Sequence, residues 1–357
     1  MPLADRALVV GINRYPGIST LQGAEADAQD FYTWVTSPAG GKVDPKYAVK
    51  ILSSGFPLEP DPDKAEPATT VILDFFTGVD KAADENNEAG FGAVAGKRLW
   101  LFFSGHGFAP SLDRSGVLTA NASARRVHNI AARMWADRLY EGGWFQEVLL
   151  FQDACRQRIR AADLSPPFLA GRVGSGERRR FYAFAASNDK LAKEVPLPSG
   201  RVGGVFAAAL LDGLRGGARH PITGAVTTAQ LAEYLQANMR KLLPAADLDD
   251  DDIAKVPDVY APDPFDIVPA PAGGAAVGAA APHYAVRIVV RQPGSPGRVL
   301  DAAFEPVVTV QATPARWALR LPRGMYKVVV DGAGARLFEV TGGVEANGTP
   351  SEVEVHV

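Results

Sequence analysis

The sequence predicts an α/β domain, a mostly parallel sheet with helices on both faces, followed by a small all-β sandwich. Three observations carry this. From residue 6 to about residue 243, short apolar runs alternate with stretches of helical period. A β-α-β-α rhythm of that kind buries a parallel sheet between two helical layers. Residues 268–282, VPAPAGGAAVGAAAP, are rich in Pro, Gly and Ala with no polar-apolar period, as expected of a flexible linker. Beyond them the helical signals stop and short alternating runs between Gly- and Pro-containing turns take over, the pattern of half-buried strands. The expected division is 1–268 for the α/β domain, 269–282 for the linker and 283–357 for the sandwich.

In chain order, RALVVGIN (6–13) is a short apolar run bounded by Gly and Asn, hence a strand. AEADAQDFYTWVTS (24–37) places Ala24, Ala28, Phe31, Trp34 and Val35 at helical spacing. YAVKILS (47–53) reads as a strand, and TTVILDFFTGVDKAAD (69–84) as a helix with Thr69 or Thr70 as candidate cap. RLWLFFS (98–104), FQEVLLFQDA (145–154) and RRFYAFAAS (179–187) read as further strands. NIAARMWADRLYEG (129–142), GVFAAALLDGLRGG (204–217) and TTAQLAEYLQANMRKLL (227–243) read as helices. After the linker, 284–292, 306–312, 316–322, 325–332 and 351–357 alternate like strands. The acidic run DLDDDD (247–252) reads as a solvated loop.

Composition excludes several function classes. A net charge of −3 gives no electrostatic case for nucleic acid or an anionic membrane. No apolar run approaches the ~20 residues of a membrane helix. MPLADRALVV lacks a basic segment ahead of a long apolar stretch, so no secretory signal is expected. The single cysteine, Cys155, excludes an intramolecular disulfide framework and a multi-cysteine zinc site. The expectation is a cytoplasmic protein without a metal site or cofactor.

The candidate chemistry sits at two strand ends. LFFSGHG delivers His106 between two glycines just past one apolar run, and EVLLFQDACRQ delivers Cys155 at the end of another. In parallel α/β sheets ligand chemistry gathers outside the carboxyl ends of strands. The helix between these two runs implies a right-handed crossover that returns them to one sheet. A thiolate is the nucleophile, and a free cysteine with pKa ~8.5 is little ionised at neutral pH. An imidazole beside it can take the proton and later give it to the leaving amine. Main-chain N–H groups near the glycines and the cysteine offer donors for a developing oxyanion.

RALVVGINRY, LQGAEADAQDF, LFFSGHG and VLLFQDACR, in this order, resemble the caspase-related cysteine peptidases, specifically the metacaspase and bacterial orthocaspase branch. FYAFAASND, GGVFAAALLDGL and VPDVYAPDPFDIV extend the resemblance to residue 268. It implies the caspase–hemoglobinase fold, His106 and Cys155 as catalytic dyad, and an oxyanion hole from the amides of Gly107 and Cys155. It also implies cleavage after Arg or Lys through an acidic S1 pocket made by Asp27, Asp153 and Ser104, with Asp30 at the surface. A guanidinium in such a pocket is well matched by carboxylates. Relatives self-cleave after the nucleophile, and Arg172, Arg178, Arg179 and Arg180 of SPPFLAGRVGSGERRRF (165–181) suit such a site. The implied setting is regulated proteolysis, defence or cell death.

Some positions depart from the family pattern. Ala24 and Ala154 stand where relatives carry other residues, and Arg156 follows the nucleophile where His is common. No calcium-binding constellation is visible, so calcium activation is not assumed. The C-terminal segment WALRLPRGMYKVVVDG resembles prealbumin-like or carboxypeptidase regulatory-like sandwiches, implying a target-binding or regulatory role toward a partner. The alternatives are a catalytically silent interaction module and a protease with acidic P1 preference. The latter conflicts in charge with Asp27 and Asp153.

Overall fold

Apolar runs that cannot face water on either side pair with one another, and here they do so in parallel. The computed structural model describes residues 3–357 except 112–113, 159–161, 171–175, 198–199, 221–222, 271–283, 301–305, 322–323 and 341–352. Strands β1 (Arg6–Gly11), β2 (Ala48–Leu52), β3 (Gly96–Ser104), β7 (Phe145–Asp153), β8 (Arg179–Phe184) and β12 (Asp258–Tyr260) form the central sheet. Their order is β12-β8-β7-β3-β1-β2, parallel throughout except for β12 at the edge.

The period of two in LWLFF sorts β3 between two cores. Leu99, Leu101 and Phe103 join one apolar cluster with Phe76 of α2 (Thr69–Glu88) and Trp135 of α3 (Ala132–Glu141). Trp100 and Phe102 join the other, with Phe31 and Trp34 of α1 (Ala24–Thr36) and Phe206 and Leu210 of α4 (Val205–Asp212). Phe31 stacks on Phe102 at 4.5 Å, and Phe76 on Trp135 at 4.0 Å. Each such pair adds ~1 kcal/mol beyond the area it buries. The α/β class and the sandwiched sheet are as the sequence predicts.

Several elements differ. Residue Ala68, not Thr69 or Thr70, is the N-cap of α2, without a side-chain cap; Thr69 Oγ1 lies 3.3 Å from Thr119 Oγ1 instead. The helix expected from 129 starts at Ala132, because Asn129–Ile130 (β6) pair with β5 (Arg114–Leu118), itself paired with β4 (Gly107–Ser111). The helix expected over 204–217 is regular only to Asp212. A wider turn, Gly213–Gly217, follows, with Gly216 at φ +132°. Two three-residue strands, β9 (Glu194–Pro196) and β10 (Val202–Gly204), make a hairpin just before α4. β11 (Val226–Thr227) pairs with β13 (Asp266–Val268). Thr227, the last residue of β11, caps α5 (Thr228–Asn238) through a reciprocal box with Gln230.

The chain divides into two compact units, residues 1–220 with 225–270, and 271–357 with 221–224. Most of the expected linker, 271–282, lies outside the described residues. Among the described residues the second unit contains two sheets, β17-β14-β20 and β16-β15-β18-β19. These are β14 (Tyr284–Val289), β15 (Gly297–Leu300), β16 (Pro306–Val310), β17 (Arg316–Leu321), β18 (Gly324–Val330), β19 (Gly334–Val340) and β20 (Val353–His356). Val286, Ile288 and Trp317 of the first sheet share one core with Val299, Val328 and Phe338 of the second, the arrangement of a small sandwich. Among the described residues no helix is long and apolar enough to cross a membrane.

Candidate active site

β1, β3 and β7 end level. Gly11 lies opposite Ser104, and Ser104 opposite Asp153, so the chain leaves all three strands at one edge of the sheet. The Gly105 amide donates to Asp153 O at 3.2 Å and the Ala109 amide to Gln157 O at 3.0 Å. These bonds run the segment after β3 alongside the segment after β7. His106 and Cys155 are each two residues past the level pair. Gly107 is where the two main chains touch. A Cβ there would stand 2.7 Å from both Cys155 O and Ala154 Cβ, closer than any side chain tolerates, so the approach requires glycine.

His106 is held from three directions. Its amide donates to the Tyr15 hydroxyl at 3.0 Å, and the Tyr15 ring packs 4.8 Å from the imidazole. Tyr15 Oη in turn donates to Leu118 O; the ring is wholly buried, and burial pushes its phenol up. Gly105 leaves room for that hydroxyl, since a Cβ there would lie 2.5 Å from it. His106 Nε2 lies 2.7 Å from Ser19 O. A carbonyl oxygen only accepts, so Nε2 carries a proton and donates it to this bond.

Cys155 is half-buried and its Sγ donates to Ala192 O at 3.7 Å. Burial pushes the thiol up, and the charges of Asp153 and Glu194 add to this. The next residue, Arg156, is a wholly buried cation that anchors the loop. Its guanidinium pairs with Asp258 of β12, donates to Ala186 O at 3.3 Å and lies over the Phe184 ring. Its main chain bonds Lys190 O and the Asp189 amide. A long cation with three anchors explains why Arg stands there.

Asp27 and Asp153 flank one point of the hairpin. A Cβ on Gly204 would stand 2.0 Å from Asp153 Oδ2 and 3.1 Å from Asp27 Oδ2. Asp27 is wholly buried; Oδ2 accepts the Gly204 amide at 2.7 Å, and Oδ1 accepts Arg201 Nη1 at 2.7 Å. Burial pushes its carboxyl up to about 6 against both of those bonds. Asp153 Oδ2 accepts the Ala207 amide in the first turn of α4 at 3.0 Å. Burial, then the charge of Asp27, hold Asp153 well above the usual carboxylate range. Ser104, buried at the end of β3, completes the group by register with Asp153.

Sequence reasoning missed four contributors here. Tyr15 and Ser19 come from the loop after β1. Glu194 accepts the Gln22 and Gly23 amides at 3.0 and 2.9 Å and so fixes the approach to α1. Arg201 joins Asp27 to Asp30, whose Oδ2 accepts Nη2 at 2.7 Å; Asp30, read from the sequence as a surface residue and 42% exposed, is half of that clasp. Among the residues suited to self-cleavage, Arg172 lies outside the described residues. Arg178 immediately precedes β8, over the Tyr140 ring. Arg179 and Arg180 are not in a loop: they open β8, paired with Glu147 and Val148. Arg180 pairs with Asp137 at 2.9 Å and stacks on Tyr140.

Residues 4–247 match the family model described as the caspase domain. The solved structures similar to this chain include "Crystal Structure of Caspase-1 from Spodoptera frugiperda", at 12% identity and TM-score 0.42, covering 73% of this chain and 88% of that one. Another, "structure of pro-sf-caspase-1", has 11% identity and TM-score 0.38, covering 72% of this chain and 91% of that one. No curated protein matches.

Proposed function

We propose, from the premise that this chain belongs to the caspase-domain family of cysteine-type peptidases, that Cys155 and His106 cut proteins after Arg or Lys. The observation that carries the reading is the contact of the Gly107 and Cys155 main chains at the level ends of β3 and β7. It supports a thiol and an imidazole acting on one peptide bond.

In the proposed mechanism Cys155 begins as a neutral thiol, as its burial favours. His106 takes the thiol proton at Nδ1 as Sγ attacks the scissile carbonyl carbon. The resulting imidazolium is held by Ser19 O at Nε2. The amides of Gly107 and Cys155 receive the oxyanion, each such donor being worth ~3 kcal/mol of barrier. His106 then returns its proton to the departing amine. Water, activated by the same imidazole, releases the acyl group from Sγ.

Specificity for a basic P1 rests on charge. Asp27 and Asp153 flank one point, and Glu194 stands close enough to raise both carboxyls further. A P1 carboxylate would add repulsion there, whereas a guanidinium or ammonium relieves it. Self-cleavage is proposed at Arg172 or Arg178. Arg179 and Arg180 do not suit the P1 position, because each would have to leave its place in β8.

The test is cleavage of fluorogenic peptides ending in Arg, Lys or Asp by the purified chain, Cys155→Ala and His106→Ala, with and without calcium ions. Arg and Lys peptides should be cut and Asp peptides not, and each variant should lose about 10³-fold or more in kcat. Cleavage of the Asp peptide alone would reject the basic preference. Equal rates in Cys155→Ala would reject the nucleophile.

A further inference from the structure

Asp27, proposed above as part of the P1 site, already holds a guanidinium that belongs to this chain. Arg201 ends the turn of the β9–β10 hairpin, where the Leu197 amide bonds Arg201 O at 2.8 Å and Gly200 takes φ +85°. From there its fork spans Asp27 and Asp30, one turn apart on α1, with both N···O distances 2.7 Å. The Asp27 side chain is 1% exposed, against 28% for Arg201 and 42% for Asp30. Arg201 therefore lies on the solvent side of Asp27. The hairpin is shaped for this contact. A Cβ on Gly203 would stand 2.5 Å from Arg201 Nη1 and 2.9 Å from Asp27 Oδ1, so glycine makes room for the ion pair.

The side chain also has somewhere else to go. Arg201 and its partner Asp30 both line a cavity of about 770 Å³, with Leu197, Asp212 and Tyr234 among others. The Asp212 carboxylate in that cavity, which accepts the Tyr234 hydroxyl, gives a released guanidinium a second acid to face beside the cations Arg215 and Lys241.

We propose that Arg201 is an in-chain stand-in for the substrate's P1 side chain, which a peptide with Arg or Lys at P1 must displace from Asp27 before the bond can be cut. This rests on the basic-P1 reading above. The chemistry of displacement is an exchange of like for like: one guanidinium leaves Asp27 as another arrives. The intramolecular one starts with the advantage of proximity. Resting activity is thereby held low, and any event that draws the hairpin off α1 raises it.

The full chain carrying Arg201→Ala or Arg201→Gln is the test, with Asp30→Asn as a second approach. Asp30→Asn loosens the clasp from its far end and leaves Asp27 to the substrate. For an Arg-P1 peptide, both Arg201 variants should lower KM roughly tenfold with kcat within about twofold, the factor one charge-assisted contact commands. Asp30→Asn should lower it about threefold. Agmatine, a free guanidinium, should raise the melting temperature of Arg201→Ala in a Cys155→Ala background and leave Cys155→Ala alone unmoved. Unchanged KM in all three variants, while Arg and Lys peptides are still cut, would overturn the stand-in and keep the specificity. A higher KM in folded Arg201→Ala, restored by Arg201→Lys, would overturn it in favour of a structural clasp. If no variant cuts Arg or Lys peptides yet agmatine acts only on Arg201→Ala, pocket occupancy stands and the basic-P1 reading falls.

Discussion

Gly107→Ala tests the contact on which the proposed chemistry rests. The added methyl would stand 2.7 Å from Cys155 O, 2.7 Å from Ala154 Cβ and 3.0 Å from Gly116 O. Two of these three are backbone oxygens, one on the Cys155 segment and one on β5, so no flexible side-chain end can yield. Ordinary contact begins at 3.4 Å, so the two segments must part by about 0.7 Å. Displacements of ~1 Å in reacting groups cost ~10²-fold, and kcat should fall between about 10-fold and 100-fold. Overpacking of this kind costs ~1–3 kcal/mol, equivalent to a drop of several degrees in melting temperature for a unit of this size. Steady-state kinetics on an Arg-P1 peptide, beside a thermal melt, reads both. A variant whose melting temperature falls while kcat stays within twofold would refute the reasoning, because the segments would then have parted without consequence for the chemistry.

Three further outcomes are expected. Asp27, pushed up to about 6 from an unfolded value near 3.8, binds its proton more tightly in the native state. Its contribution to stability is therefore full below about pH 4 and declines as pH rises through 6, and Asp27→Asn should flatten that part of a denaturation-against-pH curve. The same ionisation should make KM for an Arg-P1 peptide fall as pH rises through about 6, read by initial rates across buffers. Gly78→Ala, in the exposed middle of α2 with no atom within 4 Å of the new methyl, should stabilise the chain by ~0.5–1 kcal/mol in urea melts without changing kcat. Self-cleavage should appear on gels as a second band in the wild type that Cys155→Ala lacks, and terminal sequencing should place the cut after Arg172 or Arg178.

The parts of the fold written plainly in the sequence are those where burial is continuous. LWLFF and VLLF must be covered on both sides wherever they lie, and the residues that end them, Ser104 and Asp153, fall level once β3 and β7 pair. His106 and Cys155 could be singled out because strand ends are visible locally. The clasp could not. Arg201 and Asp27 are 174 residues apart, and PSGRVGG reads locally as a loop. Tyr15 and Ser19 sit in an aperiodic stretch whose role exists only after β1 pairs with β3. Strands of two or three residues, such as β6, β9 and β10, are too short to display a period. The burial of Arg156 runs against the ordinary preference of its residue type. Its partners Asp258 and Phe184 are supplied by the antiparallel edge strand β12 and its neighbour β8, which a linear reading does not bring together.

The buried pair Asp27 and Asp153 is costly to fold, and that cost bears on its proposed use. Asp27 and Asp153 are both buried, burial raises the proton affinity of each, the charge of Asp27 raises that of Asp153 further, and Glu194 adds its charge to both. Burying such a group without a cation is unfavourable. Arg201 and the amides of Gly204 and Ala207 offset part of that cost in the resting chain. It follows that stability and substrate affinity draw on the same carboxylate. Arg201→Ala should lose stability at neutral pH while gaining affinity for a basic P1, and the two effects should shrink together as pH falls below about 6 and Asp27 takes up its proton. A clasp serving stability alone gives the first effect without the second. The pairing of the two, and their common pH dependence, is what separates a displaceable stand-in from a permanent strut.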